Sequence, residues 1–202
     1  RMQFALQTMV RLLGRLLDVS RLDAGVVNVE SRPLALESMM MAAVDEVANP
    51  ARSKGLRLRV HEPGLWVHSD PAILHSILSN LLSNAVRYTS KGGILVAARR
   101  RGGNALLQVW DTGIGIAESD QARLSEEFFQ GGNAHEDPSQ PRGFGLGLAI
   151  AHRSAQLLGT SLHWRSRLGR GSVFELKLPL AEPVAGSHQK PDTDLPAAQP
   201  RP

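Results

Sequence analysis

The stretch that most narrows what this chain can fold into runs from Asp70 to Tyr88. Asp70-Pro71 is a helix opening: an acidic cap, then proline at the first helical position, where no backbone donor is lost. Behind it, Ile73, Leu74, Ile77, Leu78, Leu81, Leu82, Ala85 and Val86 recur at three- and four-residue spacing. That spacing predicts a helix of about four turns with one face committed to a core, which a second layer must cover. The rest of the region from about Arg32 to Leu180 supplies that layer by alternating helical and strand periodicity. Leu36 to Ala51 reads as a helix, Leu56 to Val60 as a half-buried strand, and Trp66-Val67 as a short strand. Gly92-Gly93 ends the long helix, and Ile94 to Arg101 and Ala105 to Trp110 read as a strand pair across Gly102-Gly103-Asn104. A helix from about Gly145 to Leu158 and strands from Ser161 to Ser166 and Ser172 to Leu178 complete the pattern. The predicted fold class is α/β, a two-layer sandwich of helices on a mixed sheet.

Composition excludes several function classes. The 202 residues are 42% apolar and 21% charged, a globular mix. A net charge of +4 with a pI near 10.1 is too diffuse to argue for nucleic acid. The run Arg99-Arg100-Arg101 is explained by a solvated hairpin tip, so no nucleic-acid partner is expected. The absence of cysteine removes disulfides, thiol catalysis and cysteine-bound metal. No apolar run reaches the roughly 18–20 residues of a membrane span, so a cytoplasmic location is expected, with membrane contact only through segments outside this chain. Leu6, Met9, Val10, Leu13, Leu16 and Leu17 mark an amphipathic helix that stops at Gly25. Its stripe precedes the α/β pattern, which favours a segment of a helical hairpin or dimer bundle over packing on its own domain. The chain starts inside that helical pattern and reads as a fragment of something longer. From Pro183 to Pro202 prolines recur without an aromatic residue, the composition of a solvated linker or tail. Three zones result: residues 1–25, 32–180 and 183–202.

Three polar clusters can carry chemistry. Asn80, Asn84 and Arg87 share a helix face, with Tyr88 at its edge. Carboxamide oxygens are hard, neutral ligands suited to Mg²⁺, and arginine beside them suits phosphate. An ordinary solvated face explains the same residues. The second cluster, Asp111-Thr112-Gly113-Ile114-Gly115-Ile116, follows a strand. Its aspartate can accept a hydrogen bond from an exocyclic amine, and its glycines let backbone approach a flat ring. A plain glycine-rich turn is the alternative. The third, Gly143-Phe144-Gly145-Leu146-Gly147-Leu148, runs into a helix whose first amides suit phosphate. It lacks the Gly-Lys-Ser/Thr ending of one common phosphate loop and the glycine that a dinucleotide loop needs at Leu148. The polar stretch from Gly131 to Arg142 ahead of it reads as a mobile lid.

In order and spacing these clusters, with Phe128-Phe129 between them and Gly169-Arg170-Gly171-Ser172 after them, resemble the ATP-binding domain of sensor histidine kinases, within the gyrase-like ATPase superfamily. The resemblance covers about Arg32 to Pro179. Residues Asn80 to Thr89 are similar to the family's N box, Asp111 to Ile116 to its G1 box, and Gly143 to Leu148 to its G2 box. Leu16 to Gly25 resembles the end of the second helix of the dimerisation and phosphoacceptor hairpin. The resemblance implies a Bergerat-type ATP-binding fold, with ATP and Mg²⁺ as cofactors. It implies that Asn84 ligates Mg²⁺ with the triphosphate while Asn80 helps position it, these two being the catalytic pair. Arg87 would meet phosphate, Tyr88 would pack by the base, and Asp111 would take the adenine amine. Gly113, Gly115 and Ile116 would bind nucleotide, and Gly143, Gly145, Leu146, Gly147 and Leu148 would hinge the lid and contact phosphates. Ser172 would join the adenine site through water. The implied partners are a response regulator or receiver domain and a second copy of the parent protein, dimerised through the hairpin.

Two departures qualify the pattern. Ser125 stands where the family usually has a further phenylalanine, which loosens the expected lid packing. None of His61, His68, His75, His135, His152, His163 or His188 sits on a first hairpin helix followed by an acidic residue, so the acceptor histidine is expected outside this chain. Hydrolysing members of the superfamily resemble Glu-x-x-x-Asn, with the glutamate as general base. Here that position is Asn80, and a carboxamide cannot take a proton at neutral pH. ATP is therefore expected to be held intact for transfer to a side chain. A nucleotide-sensing module without catalysis is the rival reading. The presence of Asn84, Asp111, Gly143, Gly145 and Gly147 stands against it.

Overall fold

The computed structural model describes residues 28–131 and 145–184. The expected N-terminal amphipathic helix, the lid beyond Gly131, Gly143, and the tail beyond Val184 lie outside the described residues.

Five strands form one mixed sheet: β2 (Arg57–His61), β4 (Gly93–Arg101), β5 (Asn104–Asp111), β6 (Leu162–Arg167) and β7 (Gly171–Pro179). Their spatial order is β2-β4-β5-β7-β6, with β2 parallel to β4 and every other pair antiparallel. A parallel pair needs a crossover, and the chain between β2 and β4 supplies it. That crossover holds β3 (Trp66–Ser69) and α2 (Pro71–Tyr88). β1 (Arg32–Ala35) pairs antiparallel with β3 in a separate two-stranded ribbon and feeds directly into α1 (Leu36–Ser53). The short α3 (Glu118–Gln121) and the later α4 (Gly147–Leu157) complete the described elements.

α2 is the centre of the helical layer, packed between α1 and α4. The periodic residues Ile73 to Val86 are all buried, as their spacing requires. They meet alternate sheet residues, among them Val96, Leu107, Val109, Phe174 and Leu176, in one continuous core. Both ends of α2 are tied down. The buried Asp70 carboxylate accepts the amides of Ala72 (2.9 Å), Ile73 (3.1 Å) and Glu30 (2.8 Å). At the other end, Lys54 Nζ donates to the carbonyls of Val86 (2.7 Å) and Arg87 (3.0 Å), two of the acceptors that a helix C-terminus leaves unpaired. The result is a rigid rod that holds Asn84 and Tyr88 against the end of β5. The two-layer α/β architecture expected from periodicity is the one observed.

Candidate functional site

Where β5 stops, the C-terminal half of α2, the loop into α3 and the start of α4 enclose an open cleft with about 960 Å³ of empty space. That space is open to solvent and is bounded by side chains from every element that meets at this end of the sheet. Asn84, Ala85 and Tyr88 line it from α2, Asp111 from β5, and Ser172 and Phe174 from β7. Ile114, Gly115, Ile116, Ala117 and Asp120 follow from the loop and α3. Leu124, Phe129, Gln130 and Gly131 close one side, and Gly145, Gly147 and Leu148 another. The walls are largely apolar, with acceptor groups at a few points, as suits a flat heterocycle with a polar edge.

Asp111 is the best-defined of those points. It ends β5 opposite Ser172 of β7, so both side chains emerge at the same edge of the sheet, on its helix-covered face. Burial pushes the Asp111 carboxyl above its usual range, and hydrogen bonds from the amide of Gly113 and from the amide and hydroxyl of Ser172 oppose that push. The Gly113 bond is 2.8 Å long. A carboxylate kept partly dry and held by fixed donors is a preorganised acceptor. The loop beyond it needs glycine. Gly115 has φ +67°, and a Cβ there would run into the carbonyl of Arg167.

The opposite wall is built from α2 and α4. A Cβ on Gly147 would lie 3.1 Å from Asn80 Oδ1 and 3.6 Å from Asn84 Oδ1, so the first turn of α4 sits directly over both carboxamides. No side chain caps that turn and no acidic residue lies in it. Gly147 and Leu148 at its start line the cleft, and an uncapped helix start favours an anion. Gly145, at φ +68°, wedges the chain entering α4 against the backbone of Phe128 and Phe129, 2.7 Å from where its Cβ would stand. Arg153 of α4 pairs with Glu127 at 2.6 Å beside that contact.

Of the residues singled out from sequence, Asn84, Tyr88, Asp111, Gly115, Ile116, Gly145, Gly147, Leu148 and Ser172 meet at the cleft. Asn80, Arg87, Gly113 and Leu146 do not line it. Asn80 donates its side-chain amide to the carbonyl of Ser76 at 2.8 Å and lies beneath α4. The Arg87 guanidinium stands 5.9 Å from the centroid of the Tyr88 ring. Gly113 supports Asp111 from behind, and Leu146 is fully buried. Gly143 lies outside the described residues. Sequence reasoning missed Ala85, Ala117, Asp120, Leu124, Gln130 and Phe174, whose side chains have no individual signature of ligand contact. Among the described residues no cluster of three or more His, Cys, Asp or Glu could cage a metal ion. The neutral oxygen of Asn84 suits an ion held mainly by ligand phosphates and water, the habit of Mg²⁺.

A model of the family described as histidine kinase-, DNA gyrase B- and HSP90-like ATPase matches residues 69–182. The autoinducer 2 sensor kinase/phosphatase LuxQ of Vibrio cholerae is 35% identical over 96% of this chain and 23% of its own length. The circadian input-output histidine kinase CikA of Synechococcus elongatus is 34% identical over 87% of this chain and 24% of its own length. The chain thus spans about a quarter of these curated relatives. Among solved structures, full-length ShkA in complex with AMPPNP superposes with a TM-score of 0.76 at 29% identity, over 88% of this chain and 37% of that one. The Acinetobacter baumannii histidine kinase AdeS shares the fold, with a TM-score of 0.73 at 19% identity, over 88% of this chain and 81% of that one.

Proposed function

The chain belongs to the histidine kinase-, DNA gyrase B- and HSP90-like ATPase family, as an ATP-binding catalytic domain of the sensor histidine kinase kind, and we propose that it holds Mg²⁺–ATP in this cleft for transfer of the γ-phosphoryl group to a histidine on a helical hairpin. The observation that carries the proposal is the pairing, across one cleft, of a half-buried acceptor at Asp111 with Asn84 and the uncapped start of α4. An adenine amine donates to Asp111, with Tyr88, Ile116 and Phe174 supplying apolar walls. The triphosphate then lies toward α4, where the backbone amides from Gly147 meet phosphate oxygens. Mg²⁺, when bound, neutralises charge on the phosphates, and Asn84 offers it an oxygen. Asn80 and Arg87, outside the cleft lining, act by shaping the floor of the site and the seat of Tyr88. Asn80 stands where hydrolysing relatives need a general base, which favours intact ATP over water attack.

Phosphoryl transfer is mostly positioning and charge neutralisation, so the nucleophile can come from a separate element. In the whole protein that element is the dimerising hairpin, the onward acceptor is a response regulator or receiver domain, and the location is cytoplasmic. Among the described residues no helix is long and apolar enough to cross a membrane. The test is incubation of the chain with γ-labelled ATP and a separately supplied, histidine-bearing hairpin of a sensor kinase. The expected product is acid-labile label on the hairpin. Label released only as inorganic phosphate would overturn transfer in favour of hydrolysis. The metal assignment has its own test: Asn84→Ala should weaken Mg²⁺–ATP far more than metal-free adenosine in calorimetry. Equal losses would remove Asn84 from the metal.

A further inference from the structure

Ser166 lies one strand behind the cleft and does not line it, yet its hydroxyl has three hydrogen-bond partners near the base-facing end. Cross-strand register puts Ser166 of β6 opposite Ser172 of β7, and Ser172 opposite Asp111 of β5, so the three side chains form one row on the same face of the sheet. Ser166 Oγ accepts the amide of Ile116 at 2.8 Å and has two acceptors for its single proton, Ser172 Oγ at 2.9 Å and the Gly171 carbonyl at 3.0 Å. The Gln121 side-chain amide clamps the same corner, donating to the carbonyls of Ser166 (3.1 Å) and Ile116 (3.3 Å).

We propose that Ser166 is a positioning residue for base selection: its hydroxyl orients that of Ser172 toward Asp111 and anchors the Ile116 amide, so that Asp111 keeps its lone pairs aimed at an exocyclic purine amine. The proposal rests on the reading of Asp111 as the group that takes the base. A hydroxyl has one proton and two lone pairs, so the order of the chain is limited. If Ser166 donates to Ser172, the Ser172 proton is free to turn toward the Asp111 carboxylate opposite it in the strand pair. If Ser172 instead donates to Ser166, Ser166 keeps its bond to the Gly171 carbonyl, but the half-buried carboxylate loses a charge-assisted donor, which is the costlier arrangement. The favoured order runs from Ile116 N–H through Ser166 and Ser172 to Asp111, each bond polarising the next. Adenine donates to that carboxylate through its amine. Guanine presents a carbonyl oxygen at the same ring position, and two acceptors repel.

Binding of ADP and GDP, compared by calorimetry on this chain and its variants, tests the assignment. Ser166→Ala should lower ADP affinity roughly three- to tenfold, the loss of about one hydrogen bond, and leave GDP nearly unchanged, so the ADP/GDP ratio narrows. Ser166→Thr, which keeps the hydroxyl, should restore the ratio. Ser172→Ala should narrow the ratio while leaving the Ile116 anchor in place, and the double variant should add little to either single one. Equal losses for both nucleotides in Ser166→Ala would make Ser166 a loop support only, and an unchanged ratio would overturn the proposal. Asp111→Asn separates the two levels. If it narrows the ratio and Ser166→Ala does not, the Ser166 proposal alone falls; if it does not, the base reading falls first.

Discussion

Asp111 is held where a carboxylate is expensive. Burial raises its folded-state pKa above the ordinary value of 3.8, so in the folded protein it binds its proton more tightly than in the unfolded chain. Stability therefore falls as pH rises from the unfolded value through the raised folded one, and the penalty is fully present above it. Asp111→Asn removes that penalty. The nucleotide-free variant should melt higher than the parent near neutral pH, and the gain should fade on acidification toward the unfolded value. Nucleotide affinity should fall in the same variant, because the new amide must place its own hydrogens toward the base. A thermal-shift series over pH with and without ADP checks both halves, and a variant that melts lower at neutral pH contradicts the sign. At this scale the sequence was legible for Asp111, since an aspartate at a strand end followed by spaced glycines is a local pattern. Ser166 was not legible, because its neighbours Ser172 and Asp111 reach it only through strand register.

α2 and α4 were read well from their periodicity, because the residues that cap and cover a helix leave marks within one or two turns. Asp70-Pro71 announced the start of α2, and the buried positions follow its spacing. The start of α4 was placed two residues early. Gly145 sits in a positive-φ turn and Leu146 occupies the cap position, with the helix beginning at Gly147. The difference has a consequence. Gly147→Ala should stabilise the helix by up to about 1 kcal/mol on propensity alone. The added methyl, however, would stand 3.1 Å from Asn80 Oδ1, tight enough that the Asn80 carboxamide must give by a few tenths of an ångström, with Asn84 left in ordinary contact at 3.6 Å. The expected result is weaker Mg²⁺–ATP binding in a variant whose melting temperature drops little or not at all. Unchanged affinity would show that this wall tolerates displacement. β1 escaped the sequence reading because four residues including Pro33 are too few to show a period.

The whole molecule brings a nucleotide cleft together, and among the described residues no histidine lines it. Of the seven histidines, His61, His68, His75, His152 and His163 are described, and none lines the cleft. His75, for one, pairs with Glu46 at 3.2 Å, between α1 and α2. The chain by itself should therefore bind Mg²⁺–ATP, leave it intact, and take up no acid-labile phosphate. Mass spectrometry after long incubation checks this, and a phosphohistidine at any of the seven positions would contradict it. Sequence alone determined the elements whose causes are local: the apolar period of α2, its cap, the glycine turn between β4 and β5, and the order of the polar clusters along the chain. Only the tertiary structure decided the strand order β2-β4-β5-β7-β6 and which members of each cluster face the cleft. It turned Asn84 and Leu148 into the cleft and left Asn80 and Leu146 beneath it, though each pair shares a motif. The physical reason is that orientation toward a cavity depends on contacts between segments far apart in the chain. Those contacts are chosen by packing and register across the whole core, which no short window of residues records.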